Sequence, residues 1–237
     1  MLRPLAVIIA AMYLTRPGIP YPEAERYAKV IQAEAKSRDF DPLSAVAIVH
    51  FETGFFPELV SENGEDYGLG QIRARYIGAC KLDDDPVNHP SDECKAVKSQ
   101  LLEGEENLRW VAKLITRNRK FCKEKTGSAL FQQWLASYQG LNFPKQNRWC
   151  QPKKKTWRVV KYHASLKQEL LAGGKLKKKH RDLVEQKRKE AQAERAKEPE
   201  QPKKAPPPQE KPPSKGKGKQ NAALQSKSSL LMRVTLL

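Results

Sequence analysis

The spacing of apolar residues predicts a mainly α-helical chain. Between residues 22 and 36, apolar side chains recur three and four positions apart, which is typical of a helix with one buried face. They are Ala24, Tyr27, Ala28, Ile31 and Ala35. The same kind of spacing predicts helices over 103–117, 128–138 and 157–171. A short hairpin fits within 54–72, but no longer run of alternating strand residues is present, so the predicted class is mainly α.

A helix starting at Asp41 is predicted to lie at the centre of the fold. Asp41 and Pro42 form a typical start, with Asp as N-cap and Pro at the first helical position. The residues from Leu43 to Phe51 are apolar on nearly every side, which indicates a helix surrounded by others. Gly54 ends it. The long polar segment that follows, up to Ile72, is of the length and composition of a functional loop.

Composition divides the chain into three parts. Residues 1–17 contain one early Arg and an apolar run of about 10 residues, too short to span a bilayer but typical of a signal peptide. The alternative is a first apolar helix packed on the domain. Residues 18–172 are long enough for one domain with a buried core. Residues 173–237 are rich in Lys, Pro, Glu and Gln and predict a disordered, low-complexity tail, within which 175–197 could form a solvated helix.

The net charge of +17 favours polyanionic surroundings. Residues 173–220 alone carry 16 basic and 7 acidic side chains. Nucleic acid, an anionic membrane surface and anionic wall polymers all fit this charge. A specific nucleic-acid partner is not expected, because it would leave the apolar amino-terminal run and the cysteines unexplained.

Four cysteines lie before residue 172, at Cys80, Cys94, Cys122 and Cys150. Their spacing contains no C-x-x-C pair and the histidines are scattered, which argues against a zinc site. An even number in an exported protein predicts two disulfides, for which three pairings exist. We expect Cys80–Cys94, closing the acidic loop between them, and Cys122–Cys150. In a chain that is not exported they would be buried thiols.

Glu52 is the candidate catalytic residue. It stands at the end of the apolar helix, where partial burial and the negative end of the helix dipole both raise a carboxyl pKa. A carboxyl group that stays protonated near neutral pH can protonate a glycosidic oxygen. The loop after it supplies polar side chains suited to sugar hydroxyls and glycines that allow close backbone approach.

The segment from Glu52 to Ile72 resembles the soluble lytic transglycosylases, which share a fold with goose-type lysozymes. The family pattern is Glu-Ser-x-Phe-x-Pro, then Ser, then Gly, then Gly-Leu-Met-Gln-Ile. The matching residues here are Glu52, Phe55, Pro57, Ser61, Gly64, Gly68, Leu69, Gln71 and Ile72. Glu106-Asn107-Leu108 and Ala136-Ser137-Tyr138-Gln139-Gly140 match two later landmarks. The resemblance covers about residues 22–165 and implies a lysozyme-like domain.

The resemblance also implies roles for individual residues. Glu52 matches the single catalytic acid and base, Ser61 and Gln71 match cleft residues that bind sugar, and Tyr138 matches a tyrosine near the catalytic carboxyl. Gln139 stands where the family has Asn, so its contact with substrate departs from the pattern. Thr53 and Gly70 replace the usual Ser and Met, which should mainly affect packing and the shape of the cleft.

The implied activity is cleavage of the bond between N-acetylmuramic acid and N-acetylglucosamine in peptidoglycan, giving a 1,6-anhydro product. Arg73 occupies the place where goose-type enzymes have an Asp, which favours the transglycosylase over a muramidase that uses water. Glu65 and Asp66 keep hydrolysis open, and a glycan-binding module without activity is a further alternative. The amino-terminal run and the cysteines predict an exported protein of the periplasm or cell envelope, which we expect to be a monomer. No metal or cofactor is implied, and the charge of the basic tail suggests contact with anionic wall polymers or membrane.

Overall fold

In the computed structural model, which describes residues 4–197, most of the chain is helical. The helices are α1 Leu5–Thr15, α2 Tyr21–Arg38, α3 Pro42–Glu52, α4 Asp92–Leu102, α5 Gly104–Thr126, α6 Phe131–Tyr138, α7 Lys154–Leu170 and α8 Lys178–Lys197. Two short antiparallel pairs are formed by β1 Asp66–Tyr67 with β2 Ile72–Arg73, and by β3 Leu171–Ala172 with β4 Lys175–Leu176. The mainly α class is confirmed, and the predicted short hairpin is present but ends at Arg73, one residue beyond the expected 54–72.

Helix α3 lies at the centre of the fold. All of its residues from Pro42 to Val49 are buried, as its apolar composition predicts. Asp41 caps the helix by accepting a hydrogen bond from the Leu43 amide (3.2 Å), and the same side chain contacts Lys167 of α7 (2.6 Å). Helices α1, α2, α5 and α7 pack around α3. Only its last turn, which ends at Glu52, reaches the surface of this core.

Helix α1 belongs to the core, although its sequence predicts a signal peptide. Every residue from Val7 to Tyr13 is at most 4% exposed, and the helix packs against α2, α3, α7 and α8. The Thr15 hydroxyl lies 2.9 Å from the Tyr162 hydroxyl of α7. A single apolar run fits both a signal peptide and a core helix. The burial of both faces favours the alternative of a packed first helix over a segment that is removed.

The folded unit extends beyond residue 172, so the predicted start of the tail is wrong. Gly173 and Gly174, both with positive φ, form the turn between β3 and β4, and α8 then packs on α1 and α2. Among the described residues, the compact unit includes all of α8, which ends at Lys197. The composition of 175–197 is compatible with a solvated helix, but it did not predict that this helix packs on the domain, because α8 buries only His180 and Val184. The rest of the predicted disordered tail, residues 198–237, lies outside the described residues.

Two disulfides connect the loops to the helices. Cys80 pairs with Cys94 and Cys122 with Cys150, with Cα–Cα distances of 4.5 and 6.0 Å, which confirms the expected pairing. The first closes the acidic loop on α4. The second joins α5 to the segment before α7. Among residues 4–197, no helix combines the length and the apolar character needed to cross a membrane.

Removing residues 1–17 should prevent folding, because the truncation exposes the faces of α2, α3, α7 and α8 that α1 covers. We expect insoluble protein, or soluble protein without a cooperative thermal transition by circular dichroism. Truncation after Glu198, at the other end of the compact unit, is the matched control and should leave the transition within a few degrees of the full chain. A shortened chain starting at Gly18 that unfolds cooperatively at the same temperature would contradict the role of α1.

Candidate active site

Glu52 lies at the bottom of a surface cleft of about 550 Å³. Three predicted site residues, Gln71, Tyr138 and Gln139, line the same cleft, and Ser61 does not. The other lining residues are Phe51, Asp66, Gly70, Arg73, Tyr76, Leu114, Asn118, Gly140, Lys155, Arg158 and Val159. The cleft therefore combines one wall from α3 and the loop that follows it with another from α6 and α7.

The Glu52 carboxyl group is desolvated, which favours its protonated form. Burial raises its pKa from 4.5 to about 7, the charge of Lys155 opposes this shift, and Asp66 adds to it. Within the described chain its oxygens have no hydrogen bond or ion pair. A desolvated carboxyl without a protein partner, open to a cleft, can donate or accept a proton at a bound molecule.

The loop after Glu52 is tied back onto the end of α3. The Thr53 hydroxyl donates a hydrogen bond to the Leu69 carbonyl (2.9 Å), so Thr performs the bonding available to the Ser of the family pattern. Phe55 is fully buried with a φ of 69°, a conformation that costs a non-glycine residue about 1–3 kcal/mol. Arg16 donates to the Phe55 carbonyl (2.8 Å) and helps to hold this turn.

Asn107 of α5 connects the far end of the loop to the helix. Its side chain is fully buried and makes three hydrogen bonds. The amide nitrogen donates to the carbonyls of Tyr67 (2.8 Å) and Leu101 (2.6 Å), and the amide oxygen accepts from the Gly70 N–H (2.7 Å). Each backbone group would otherwise be buried without a partner. Asn107 therefore fixes the backbone that carries Gln71 into the cleft.

Ser61 stabilises the loop rather than lining the cleft, which differs from its predicted contact with substrate. Its hydroxyl donates to the Asn63 side chain (2.7 Å) and accepts from the Asp66 N–H (2.9 Å). The same network holds the reverse turn that leads into β1. Ser61 thus influences the cleft through Asp66, which does line it.

Gln71 lines the cleft from a strained position. Its φ is 48°, and its side-chain nitrogen donates to the Leu59 and Gly68 carbonyls (3.2 and 3.1 Å). The amide oxygen makes no hydrogen bond within residues 4–197, so it is available to accept one from a ligand.

Tyr138 and Gln139 come from the end of α6. The Tyr138 hydroxyl donates to the Gly70 carbonyl (3.0 Å), and burial, followed by the charges of Glu52 and Asp66, raises its pKa well above its ordinary value. Tyr138 is therefore a neutral hydroxyl beside the loop. The Gln139 side chain accepts a hydrogen bond from the Thr156 hydroxyl (2.8 Å), which joins α6 to α7.

Asp66 is the second carboxylate in the cleft, and it is paired. Its two oxygens accept hydrogen bonds from the Arg73 guanidinium at 3.0 and 3.3 Å across the β1–β2 hairpin. Both oxygens of the Asp66 carboxylate are thus engaged by Arg73, although its charge still acts on Glu52. Glu52 is thus the carboxyl in this cleft that keeps an open face.

Lys155 and Arg158 were not predicted as site residues. The run at 153–155 indicates an exposed basic face, yet Lys155 lines the cleft and donates to the Gln139 carbonyl (3.1 Å). Their signal in the sequence is helical spacing, because Lys155, Arg158 and Val159 are three and four positions apart on α7. The described residues contain no group of three or more His, Cys, Asp or Glu side chains placed to hold a metal ion.

Comparison with protein-family models, with curated proteins and with solved structures finds no match to this chain. What the site can do therefore follows from its own chemistry: one open carboxyl with a raised pKa in a polar, partly cationic cleft.

Replacing Asn107 by Asp should destabilise the fold strongly. The isosteric side chain keeps the bond to the Gly70 N–H but leaves the Tyr67 and Leu101 carbonyls without donors and buries a charge. We expect the free energy of unfolding to fall by about 3–5 kcal/mol, measured by urea denaturation at pH 7. The control is Asn147→Asp, an exposed residue whose oxygen accepts from Trp149, and it should change stability little. Similar stability for both variants would refute this role of Asn107.

Glu52→Gln should be more stable than the wild type at neutral and higher pH. Because the folded state raises the Glu52 pKa from 4.5 to about 7, it binds more protons than the unfolded state, and its stability falls as pH rises through this window. The difference should be close to zero below pH 4.5 and reach about 3 kcal/mol above pH 7. Lys155→Met should widen the difference. A difference that does not vary with pH would contradict the raised pKa.

Proposed function

We propose that the chain is a peptidoglycan lytic transglycosylase with a lysozyme-like domain. The observation that carries the proposal is the Glu52 carboxyl: its pKa is raised to about 7, it has no hydrogen-bonding partner among the described residues, and it lines a surface cleft. Gln71 and Tyr138 in the same cleft support it, because the resemblance assigns these positions to the sugar-binding groove. Gln139 lines the cleft as well but departs from the Asn of the family pattern. The substrate is the glycan strand of peptidoglycan, cut at the bond between N-acetylmuramic acid and N-acetylglucosamine.

In the proposed reaction Glu52 acts first as an acid and then as a base. The carboxyl donates its proton to the glycosidic oxygen, the bond from C1 of the muramoyl residue to that oxygen breaks, and N-acetylglucosamine leaves with a hydroxyl group. The resulting carboxylate takes the proton of the muramoyl 6-hydroxyl, whose oxygen forms a bond to C1. Glu52 returns to its protonated form, and the product is a 1,6-anhydro ring without consumption of water.

The pairing of Asp66 favours this reaction over hydrolysis. An inverting hydrolase needs a second carboxylate that activates water on the opposite face of the sugar, about 6.5–9.5 Å from the acid. Asp66 is the second carboxylate of the cleft, but Arg73 occupies both of its oxygens. The nucleophile of a transglycosylase is part of the substrate, so no free second carboxylate is needed.

We further propose that the protein acts as a monomer outside the cytoplasm, in the periplasm or cell envelope. Two disulfides support an oxidising compartment. We also propose that the basic carboxyl-terminal segment contacts anionic wall polymers or membrane. This part of the proposal rests on the charge of the sequence, because the segment after Lys197 lies beyond the described residues. Recognition of a specific nucleic acid is not part of it.

Product analysis on purified sacculi tests the proposed function. The wild type should release muropeptides with anhydro ends, seen by mass spectrometry as 18 Da lighter than hydrolysis products, the mass of one water. Glu52→Gln should lower the rate by at least about 10³-fold, because it removes both proton transfers. Asp66→Asn should retain anhydro products, since Asp66 is not a reacting group.

The other outcomes identify the alternatives. If the wild type releases products with reducing ends and Asp66→Asn no longer does, the enzyme is a goose-type muramidase that uses Asp66 to activate water. Binding of sacculi without release of soluble products by the wild type would assign a glycan-binding module and refute the proposed reaction.

A further inference from the structure

A second groove continues from the candidate active site along α5. It has a volume of about 590 Å³ and shares four lining residues with the cleft of Glu52. They are Arg73, Tyr76, Leu114 and Asn118. A polymer bound in the cleft would therefore place its substituents, or its next units, directly at this groove.

The groove is cationic. Lys81, Lys113 and Arg117 line it together with Arg73, and none of its described lining residues is acidic. Lys81 and Arg117 form no ion pair within residues 4–197. Lys113 lies 4.0 Å from Glu106 and over the Trp110 ring, at 4.1 Å from its centre. Arg73 is paired with Asp66, and Lys113 lies at the limit of an ion pair. Basic side chains that line one concavity with little acidic compensation attract an anionic ligand.

The same groove has an apolar floor. Trp110, Leu114 and Phe121 recur at spacings of four and seven along α5, and Lys113 and Arg117 alternate with them on that face. Tyr76, 59% exposed, forms the rim towards the cleft. Apolar surface between cations suits a ligand that carries small apolar groups as well as carboxylates. A neutral sugar chain has no groups that could form ion pairs with these cations.

We propose that this groove binds the carboxylate-bearing stem peptide attached to the muramoyl residue, so that the enzyme prefers peptide-bearing strands. The inference rests on the proposed function, because the glycan strand in the cleft brings the peptide to the groove. The short side chains of the peptide would lie against Trp110 and Phe121, and its carboxylates would pair with Lys113 and Arg117. Such exposed pairs are weakened by salt.

The test uses two preparations of soluble peptidoglycan strands that differ only in charge: one with free stem-peptide carboxylates and one in which these are converted to amides. Binding is measured by titration calorimetry at low salt with Glu52→Gln, which does not cut the strands. We expect the charged strands to bind about 3- to 10-fold more tightly, as two exposed ion pairs allow. Adding Lys113→Gln and Arg117→Gln should remove this preference.

The matched control adds Lys120→Gln and Lys123→Gln instead, two exposed positions of α5 outside the groove with the same loss of charge. It should keep the preference, which separates a local site from the general attraction of a basic protein. Equal binding of the two preparations, or a preference that survives in the groove variant, would overturn the inference. Absence of strand cleavage by the wild type with the binding preference intact would refute the proposed reaction and leave the groove as a binding site.

Discussion

The fold depends on one constraint: helix α3 is apolar on all sides and must be covered on all sides. Helices α1, α2, α5 and α7 supply that cover, and the one part of α3 they leave open is the turn that carries Glu52. Burial of the helix and desolvation of its last carboxyl are thus the same event. The packing that buries α3 also desolvates the Glu52 carboxyl, and this makes its ionised form less favourable. Above its raised pKa, the ionised carboxyl therefore lowers the stability of the folded protein.

Much of this arrangement could be predicted from local patterns. The cap at Asp41 and the apolar run after it define α3, and the resemblance to the transglycosylases predicts that Glu52, Gln71 and Tyr138 share one cleft. The prediction failed where a pattern has two physical meanings. An apolar run such as Val7–Tyr13 fits a signal peptide or a core helix. The two are distinguished only by whether other helices, here α3 and α8, present apolar surfaces that the run can bury. The charged sequence of α8 fits a tail or a helix that buries two residues.

Residues that act through others were the hardest to predict. Ser61 has the polarity of a ligand-binding side chain, but its hydroxyl is used by Asn63 and Asp66. Arg16 lies in the predicted signal peptide and supports the turn three residues after Glu52. Lys155 is one of three consecutive lysines, and only the rotation of α7 brings it to the carboxyl. These roles arise from long-range packing, which spacing along the chain does not encode.

Gly70 has a consequence for how this cleft can vary. A Cβ at this position would collide with Val111 and lie 3.0 Å from the Tyr138 hydroxyl, whereas the transglycosylase pattern has Met here. A larger residue at 70 therefore requires a smaller one at 111 and a displaced ring at 138. The three positions form a steric unit that can change only in concert, and redesign of the cleft floor has to exchange them together.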